Sequence, residues 1–253
     1  MTTKALDVLG CFDVDHRRMT LSEISRRAGI SLTTTHRIVT DLCAWGALER
    51  GGDGRLGVGL RVWEVAALAQ RGLPLREIAL PFMEDLYEAT HENVQLAVRE
   101  GLEVVYIERI AGRAAVRVLT RVGGRFALHA TGVGLVLLAF APQEVQEQVL
   151  ATELERWTEM TITDPATLRA RLAEVRRDGF AVSRGQVTLD ALSLACPIRS
   201  SDDSVVAALS VVVHAAIEHP LGLLPSLRAA SRSISRALGS PSARTHPPRE
   251  SSD

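Results

Sequence analysis

Lysine is almost missing from this chain: Lys4 stands alone, and the other 28 basic residues are arginine. The three cysteines, Cys11, Cys43 and Cys196, are scattered and form no C-x-x-C pair. That excludes a disulfide framework and a zinc–thiolate site, and reduced thiols are expected. No apolar run approaches the roughly 18 to 20 residues that a membrane span needs, Gly132 to Ala141 being too short. The N-terminus, Met-Thr-Thr-Lys followed by Ala5-Leu6-Asp7, lacks the apolar stretch of a signal peptide. None of the seven histidines (His16, His36, His91, His129, His214, His219 and His246) falls in an H-E-x-x-H or similar metal motif. His214 and His219, with Glu218 beside the second, do not form a defensible ligand spacing. There is no G-x-S-x-G, P-loop or dinucleotide fingerprint, and Cys196 beside Pro197 in an apolar strand reads as a small buried hydrophobe rather than a nucleophile. A soluble cytoplasmic protein is expected, with no metal, no cofactor and no membrane partner.

What is present is a core-forming composition. With 253 residues, 46% hydrophobic and 23% charged, the chain has enough apolar material for one or two domains. Its formal net charge of -1 excludes coating nucleic acid in bulk. The charge is nevertheless segregated. From Arg17 to Arg61 eight arginines face four acids, a local net of +4; from Glu84 to Glu108 seven acids face Arg99 alone, a local net of -6. A basic front and an acidic middle fit a chain whose front alone meets an anionic partner. The arginine excess itself runs through the whole chain and is assigned to genome composition.

The front reads as short helices and a hairpin. Ala5, Leu6, Val8, Leu9 and Phe12 predict a helix from about Thr3 to Val14. Thr20 followed by Glu23 is a capping-box pair that opens a helix ending at Ala28-Gly29. Ser31 is expected to cap a third helix through Trp45, with Leu32, Thr35, Ile38, Val39 and Leu42 buried and Gly46 ending it. Two short helices joined by Gly29-Ile30-Ser31 have the form of a helix-turn-helix, and Ala47 to Val58 reads as a glycine-turned hairpin, a wing. Thr33, Thr34, His36 and Arg37 stand at the front of the second helix, where hydroxyls and a guanidinium suit base edges and phosphates. His36 also has a reading as packing against the preceding helix. Arg55 on the wing is placed to reach a phosphate or the minor groove, and Arg26 and Arg27 are further candidates for DNA contact.

A linker helix is expected from Gly59 to Arg71, with Leu60, Trp63, Ala67 and Leu68 on one side. Pro74 marks a break before a helix from Leu75 to Thr90 whose apolar face is Ile78, Phe82, Leu86 and Ala89. Strands are expected at 94–99, 104–110, 115–119, 180–186, 192–198 and 205–213. Helices are expected after Gly132, after Pro142, after Thr163-Asp164-Pro165, and from Leu221 to Leu238. These blocks predict an α+β second domain. The expected division is 1–60 for the winged helix-turn-helix, 61–74 for the linker helix, 75–238 for the second domain, and 239–253 for a disordered Ser/Pro/Arg-rich tail.

Residues 4 to 238 resemble the IclR family of bacterial transcriptional regulators. The resemblance is carried by Leu21 to Ile30, Thr34-Thr35-His36-Arg37-Ile38, Leu119 to Arg125, Leu128-His129-Ala130-Thr131, and Thr161-Ile162-Thr163-Asp164-Pro165. It implies a winged helix-turn-helix joined by a linker helix to a GAF-like α+β effector-binding domain. It also implies a homodimer or tetramer on a palindromic double-stranded DNA operator, a small organic effector, and an effect on operator affinity or on contact with RNA polymerase. As implied by the resemblance, the effector pocket is lined by Leu128, Ala130, Thr131, Gly132, Ser183, Ser193, Ala195, Ser210 and Val212.

The chain departs from that family in this pocket. The common Gly, then Cys three residues on, then Ala-Ala-Pro is here Asp190, Ser193 and Ala195-Cys196-Pro197. The common Ser-x-Ser-Gly is Ser210-Val211-Val212-Val213, and a common lysine is Leu135. A carboxylate or aromatic effector remains compatible with Thr131, Ser193 and Ser210 as donors, and the valines imply a more apolar ligand or a narrower pocket. Ser183, Ser193 and Ser210 also have a reading as hydroxyls satisfied by their own backbones. The rival classes are a small-molecule-binding scaffold without DNA binding and an enzyme acting on the same ligand. Thr33, Thr34, Arg37 and Arg55 argue against the scaffold.

Overall fold

The structure is a computed structural model that describes residues 2–13, 15–68, 72–112 and 115–244. The chain forms two compact units, 1–73 and 74–253.

The first unit is built from α1 (Thr2–Gly10), β1 (Arg18–Met19), α2 (Leu21–Ala28), α3 (Leu32–Trp45), β2 (Leu48–Arg50), β3 (Leu56–Val58) and α4 (Leu60–Ala66). Val8, Met19, Ile24, Ile38, Val39, Leu48 and Leu56 form its buried core. α2 starts where the sequence says it must: Thr20 Oγ1 accepts from the Glu23 amide at 3.3 Å while the Thr20 amide donates to Glu23 Oε2 at 2.7 Å. Two otherwise orphaned donors are thereby satisfied. Gly29 and Gly46 end α2 and α3 with φ of 64° and 89°, a left-handed conformation that costs glycine no Cβ clash. The hairpin β2–β3 gains β1 on its other side, a pairing of Arg18 and Met19 with Gly57 and Leu56 that local pattern does not announce.

Several expectations for this unit are corrected. α1 ends at Gly10, and Val14 lies outside the described residues. Ser31 is the N-cap residue of α3, but its side chain donates to Thr34 Oγ1 at 3.0 Å instead of accepting a backbone N–H. Leu32 is exposed, because the first residue of α3 precedes the turn that faces the core. α4 stops at Ala66, and residues 69–71 of the expected linker helix lie outside the described residues.

The second unit runs α5 (Leu73–Thr90), β4 (Asn93–Glu100), β5 (Glu103–Ile110), β6 (Arg125–Ala127), α6 (Gly132–Ala139), α7 (Gln143–Ala151), α8 (Pro165–Asp178), β7 (Ala181–Arg184), β8 (Ala191–Arg199), β9 (Val205–His214), a 3-10 turn (Pro220–Leu223) and α9 (Leu224–Ala237). Its strands form one sheet in the order β6-β5-β4-β9-β8-β7, antiparallel throughout. Alternation divides each strand between two cores. Leu194, Cys196, Leu209 and Val211 pack with Leu75, Met83, Leu227 and Ile234 of α5 and α9. Ala97, Val104, Ala195 and Ala208 pack on the other face with α6 and α8. α6 is buried at every residue, as an all-apolar helix must be.

Here too the structure differs in places. The linker helix and the next helix are separate, as expected near Pro74, but α5 begins at Leu73 rather than Leu75, ahead of the proline. Pro74 sits in the first turn of α5, where a missing N–H costs nothing, and α5 continues through Pro81. The buried face of α5 is Leu75, Ala79, Met83 and Leu86, and Ala89 is exposed. Residues 115–119 form no strand; the Asn93 side chain of β4 donates to the Val116 carbonyl at 2.9 Å instead. The segment after α9 is tied down as far as Arg244, since Asp203 accepts from both Ser240 and Ser242 hydroxyls. Residues 245–253 lie outside the described residues. No described helix is long and apolar enough to cross a membrane.

The α2 cap gives a direct check. Thr20→Ala removes the side-chain acceptor and should cost about 1 kcal/mol of stability. Chemical unfolding followed on the first unit's signal measures it, and an unchanged midpoint would show the cap to be silent.

Candidate functional site

In the first unit the turn Gly29-Ile30-Ser31 is held from both sides. Ser25 Oγ donates to the Ile30 carbonyl at 2.6 Å, and Thr35 Oγ1, fully buried, donates to the carbonyls of Ser31 at 3.0 Å and Ile30 at 3.3 Å. Thr35 therefore anchors α3 and leaves the outward positions to its neighbours. Thr33, His36 and Arg37 are exposed on the first two turns, and Thr34 is half-buried. His36 thus presents itself to solvent rather than packing on α2. The N–H groups of the first turn have no carbonyl one turn back, so this end of α3 attracts an anion.

The wing turn closes through Gly51 N–H to Arg55 O at 2.8 Å, with Gly54 at φ 75°. Arg55 is not extended toward a partner here. Its guanidinium donates to the Arg18 carbonyl at 3.3 Å and stands 3.5 Å from Glu23 Oε2. Both side chains of that pair are well exposed, and an exposed pair at such a distance is weak and yields readily to a phosphate. Arg27 has a different position. It bridges Asp13 at 2.9 Å, the Cys11 carbonyl at 3.2 Å and His16 at 3.3 Å, fastening the loop after α1 to α2. Arg26 on the same helix is exposed.

The second unit encloses a cavity of about 50 Å³ beside the N-terminus of α6. Thr131 caps that helix, accepting from the Gly134 amide at 3.0 Å. A Cβ on Gly132 would lie 2.6 Å from Ser193 Oγ, and one on Gly134 would lie 2.3 Å from the Leu128 carbonyl. Gly132 is therefore needed to seat the helix end on β8, and Gly134 to let the preceding loop at Leu128 and Thr131 pass close to the helix. Of the residues expected at the pocket, Ala130, Thr131, Gly132, Ser183, Ser193 and Val212 line the cavity. Leu128 and Ala195 do not; both are fully buried in the core beneath α6. Ser210 does not either. It pairs with Ala195 and Gln95, is fully buried, and its hydroxyl has no hydrogen-bond partner among the described residues, so it is not satisfied by its own backbone. Only Val212 of the three successive valines reaches the cavity; Val211 and Val213 pack on the opposite face, and Leu135 is core.

Sequence reasoning missed Gln95, Tyr106, Thr120, Gln186 and Thr188, which also line the cavity. Tyr106 is hydrogen-bonded to Thr131, and burial pushes its phenol pKa well up, keeping it neutral. Gln186 belongs to the loop after β7, which Thr158 and Thr161 pin by donating to the Gly185 and Gln186 carbonyls, each at 2.6 Å. Among the described residues no charged side chain lines the cavity. From it a polar chain leads outward. Gln95 donates to Thr120 Oγ1 at 2.6 Å, and Arg109 donates to the Thr120 carbonyl at 3.1 Å and to Asn93 at 2.9 Å. The Arg109 amide and the Arg76 guanidinium of α5 then share the two oxygens of Glu108, at 2.8 and 2.5 Å. Among the described residues no cluster of His, Cys, Asp or Glu is arranged to hold a metal ion.

A winged helix-turn-helix unit followed by an α+β unit with an internal cavity defines a ligand-responsive DNA-binding regulator. The IclR helix-turn-helix domain matches residues 2–52, and the bacterial transcriptional regulator IclR C-terminal domain matches residues 67–236. The chain is 34% identical over 194 residues to the HTH-type transcriptional regulator KipR of Bacillus subtilis, covering 76% of this chain and 78% of that one. It is 32% identical over 195 residues to the HTH-type transcriptional repressor AllR of Escherichia coli, covering 76% and 71%. Among solved structures, an IclR homolog from Microbacterium hydrocarbonoxydans, complexed with 4-hydroxybenzoate, superposes with a TM-score of 0.89 at 40% identity, over 94% of this chain and 98% of that one. The chain belongs to the IclR family of bacterial transcriptional regulators. It is a DNA-binding regulator with a C-terminal effector-binding domain.

His129 offers a pH test of the cavity's support. It is buried, contacts the Glu155 carbonyl at 3.0 Å and packs on Trp157, and desolvation lowers its pKa from the ordinary 6.5. A lowered folded pKa means that the unfolded chain binds the proton more tightly. Its stabilising contribution is therefore full above about pH 6.5 and is lost as pH falls below that value. The melting temperature of the wild type should fall more steeply between pH 7.5 and 5 than that of His129→Gln. Parallel curves would contradict this.

Proposed function

We propose that the effector is a compact, single-ring aromatic compound with one or two polar substituents, held in the cavity beside α6. The observation that carries this reading is the lining: apolar at Val118, Leu119 and Val212, polar at Thr131, Ser193 and Gln95, and without a charged side chain among the described residues. The narrow space restricts the ligand to small molecules, and a carboxylate on it is met by the amide end of α6 rather than by a guanidinium. The 4-hydroxybenzoate bound by the Microbacterium relative has this form.

On this reading Thr33, Thr34, His36 and Arg37 meet base edges and phosphates of a palindromic operator, Arg55 and Arg26 meet phosphates, and Arg27 braces α2. The protein acts in the cytoplasm as a homodimer or tetramer and leaves its ligand unchanged. Ligand contact at Gln95 and Thr120 is relayed by Arg109 and Glu108 to Arg76 on α5, the helix that begins where the first unit ends. The ligand changes operator affinity, or contact with RNA polymerase, to the extent that it binds two arrangements of that relay unequally.

Titration calorimetry tests the ligand class. 4-Hydroxybenzoate and benzoate should bind while succinate does not, and Thr131→Val or Ser193→Ala should weaken binding by about ten-fold, the worth of one lost hydrogen bond. Operator affinity without ligand should stay unchanged in both variants. Silence from every single-ring acid sinks the assignment. For the DNA surface, Thr34→Ala and Arg37→Ala should each weaken specific operator binding by about 1–3 kcal/mol. Arg55→Ala should weaken all sequences alike and lower the salt slope by about one. Quantitative gel shifts at several salt concentrations read both; unchanged affinity in the two α3 variants would remove α3 as the reading helix.

A further inference from the structure

Among the described residues, Ser210 Oγ is the one buried side-chain oxygen or nitrogen without a hydrogen-bond partner. The residue is fully buried in the middle of the sheet, so the unpaired hydroxyl bears its desolvation cost in full. Its cross-strand neighbours are Ala195 on β8, which offers no polar side chain, and Gln95 on β4, which does. Alternation places Ser210 on the same face as Ala208 and Val212, the face that carries α6 and the cavity. Gln95 lines that cavity.

Residues directly opposite on antiparallel strands hold their Cβ atoms about 4.5–5.5 Å apart. A glutamine amide, two bonds beyond its Cβ, crosses such a gap by side-chain rotation alone, with the ladder unmoved. Gln95 instead donates to Thr120 Oγ1 at 2.6 Å, the single hydrogen bond of its side chain among the described residues. Thr120 also lines the cavity, and its carbonyl accepts from Arg109 at 3.1 Å. One amide thus stands between two hydroxyls, of which it serves one.

We propose that Gln95 is a two-position switch. It holds Thr120 in the arrangement of this structure and turns to Ser210 when an effector takes the Thr120 hydroxyl. The switch presupposes the reading of the cavity as the effector site and adds the element that senses occupancy. Ser210 sets its balance: losing the Thr120 bond is offset by satisfying a buried hydroxyl, so the ligand's contact with Thr120 decides between the two positions. A ligand that works the switch therefore carries a hydrogen-bonding substituent for Thr120, which the carboxylate or hydroxyl of a single-ring acid supplies.

A double-mutant cycle on the full chain without ligand tests the switch, with native-state hydrogen exchange of the β4 and β9 amides reading the stability of the second unit. Ser210→Ala deletes a hydroxyl that has no partner and should leave protection equal or higher. Thr120→Val releases Gln95 to Ser210 and should be nearly silent. The double variant denies the amide both partners and should lose about ten-fold more in the folding equilibrium constant than the two single variants combined. A double variant that fails to fold while both single variants fold is the same result in the extreme. Thr120→Val/Ser193→Ala, whose second change is not opposite Gln95, should show no such excess. Losses that merely combine, an equal excess in the Ser193 control, or a Ser210→Ala that is itself destabilised each overturn the switch. In calorimetry with 4-hydroxybenzoate, Ser210→Ala should bind about ten-fold more weakly than wild type although Ser210 does not line the cavity; equal affinity overturns the switch. A wild type that binds no single-ring acid overturns the ligand class proposed above, and the ligand-free cycle still decides the switch.

Discussion

The second unit depends on one constraint: its sheet is buried on both faces, so each strand must serve two cores by strict alternation. A slip of one residue in β8 would send Leu194 and Cys196 beneath α6 and Ser193 under α9. The single irregularity between β4 and β5 falls where it has the most effect. Between Leu96 and Ala97 the pairing passes from Glu108 to Tyr106 and leaves Ile107 as the extra residue. Tyr106 then lies on the cavity face with Ala97, while Glu108, opposite Leu96, lies on the face that packs against α5. Arg109, the next residue, returns to the cavity face beside Gln95. The polar chain from the cavity to Arg76 crosses the sheet at this point, through adjacent residues of one strand.

The energetics of that crossing make it an all-or-none element. Glu108 is 8% exposed, and a buried carboxylate is tolerated only while its partners are in place. Arg76 and the Arg109 amide each take one of its oxygens, so moving Arg76 leaves an uncompensated charge and moving the amide leaves an oxygen without its donor. Interactions of this kind contribute little net stability but distinguish sharply between two arrangements. On the proposed reading, a ligand that disturbs the Gln95–Thr120 hydrogen bond would act on Arg109, and through Glu108 on α5. A purely apolar wall would deform gradually and transmit less.

How much of this was legible in the sequence follows the range of the interactions. The helix-turn-helix and wing were readable because their signals are local: the Thr20–Glu23 box, left-handed glycines at 29 and 46, and a glycine-turned hairpin. Ala130, Thr131, Gly132, Ser183, Ser193 and Val212 came with the family resemblance. Gln95, Tyr106, Thr120 and Gln186 were invisible because their positions depend on pairings between segments far apart in the chain and on a bulge that no composition announces. Residues 115–119 have the alternation of a strand, yet the segment is held to β4 by the Asn93 side chain on the Val116 carbonyl instead of by a ladder. The valines after Ser210 implied a more apolar pocket, but alternation sends two of the three to the other face.

Charge shows the same limit from another side. The basic balance of residues 17–61 pointed to the first unit as the nucleic-acid partner, and the fold agrees, but a count does not say which arginines are available. Arg27 is committed to Asp13 and a carbonyl, whereas Arg55 holds the Arg18 carbonyl and a long, exposed contact to Glu23 that a phosphate can replace. The arginine excess, read from composition as a bias of the genome, also requires a distinction. Arg125 and Arg169 meet carboxylates at 2.8 and 2.6 Å and are accounted for as ordinary surface pairs. Arg228 and Arg199 instead lie over the Phe180 and Phe140 rings and donate to the Asp178 and Asp203 carbonyls, so the same residue type there packs and braces rather than pairing with a carboxylate. Net charge near zero is the sum of these unlike cases, and function resides in where the two signs fail to meet.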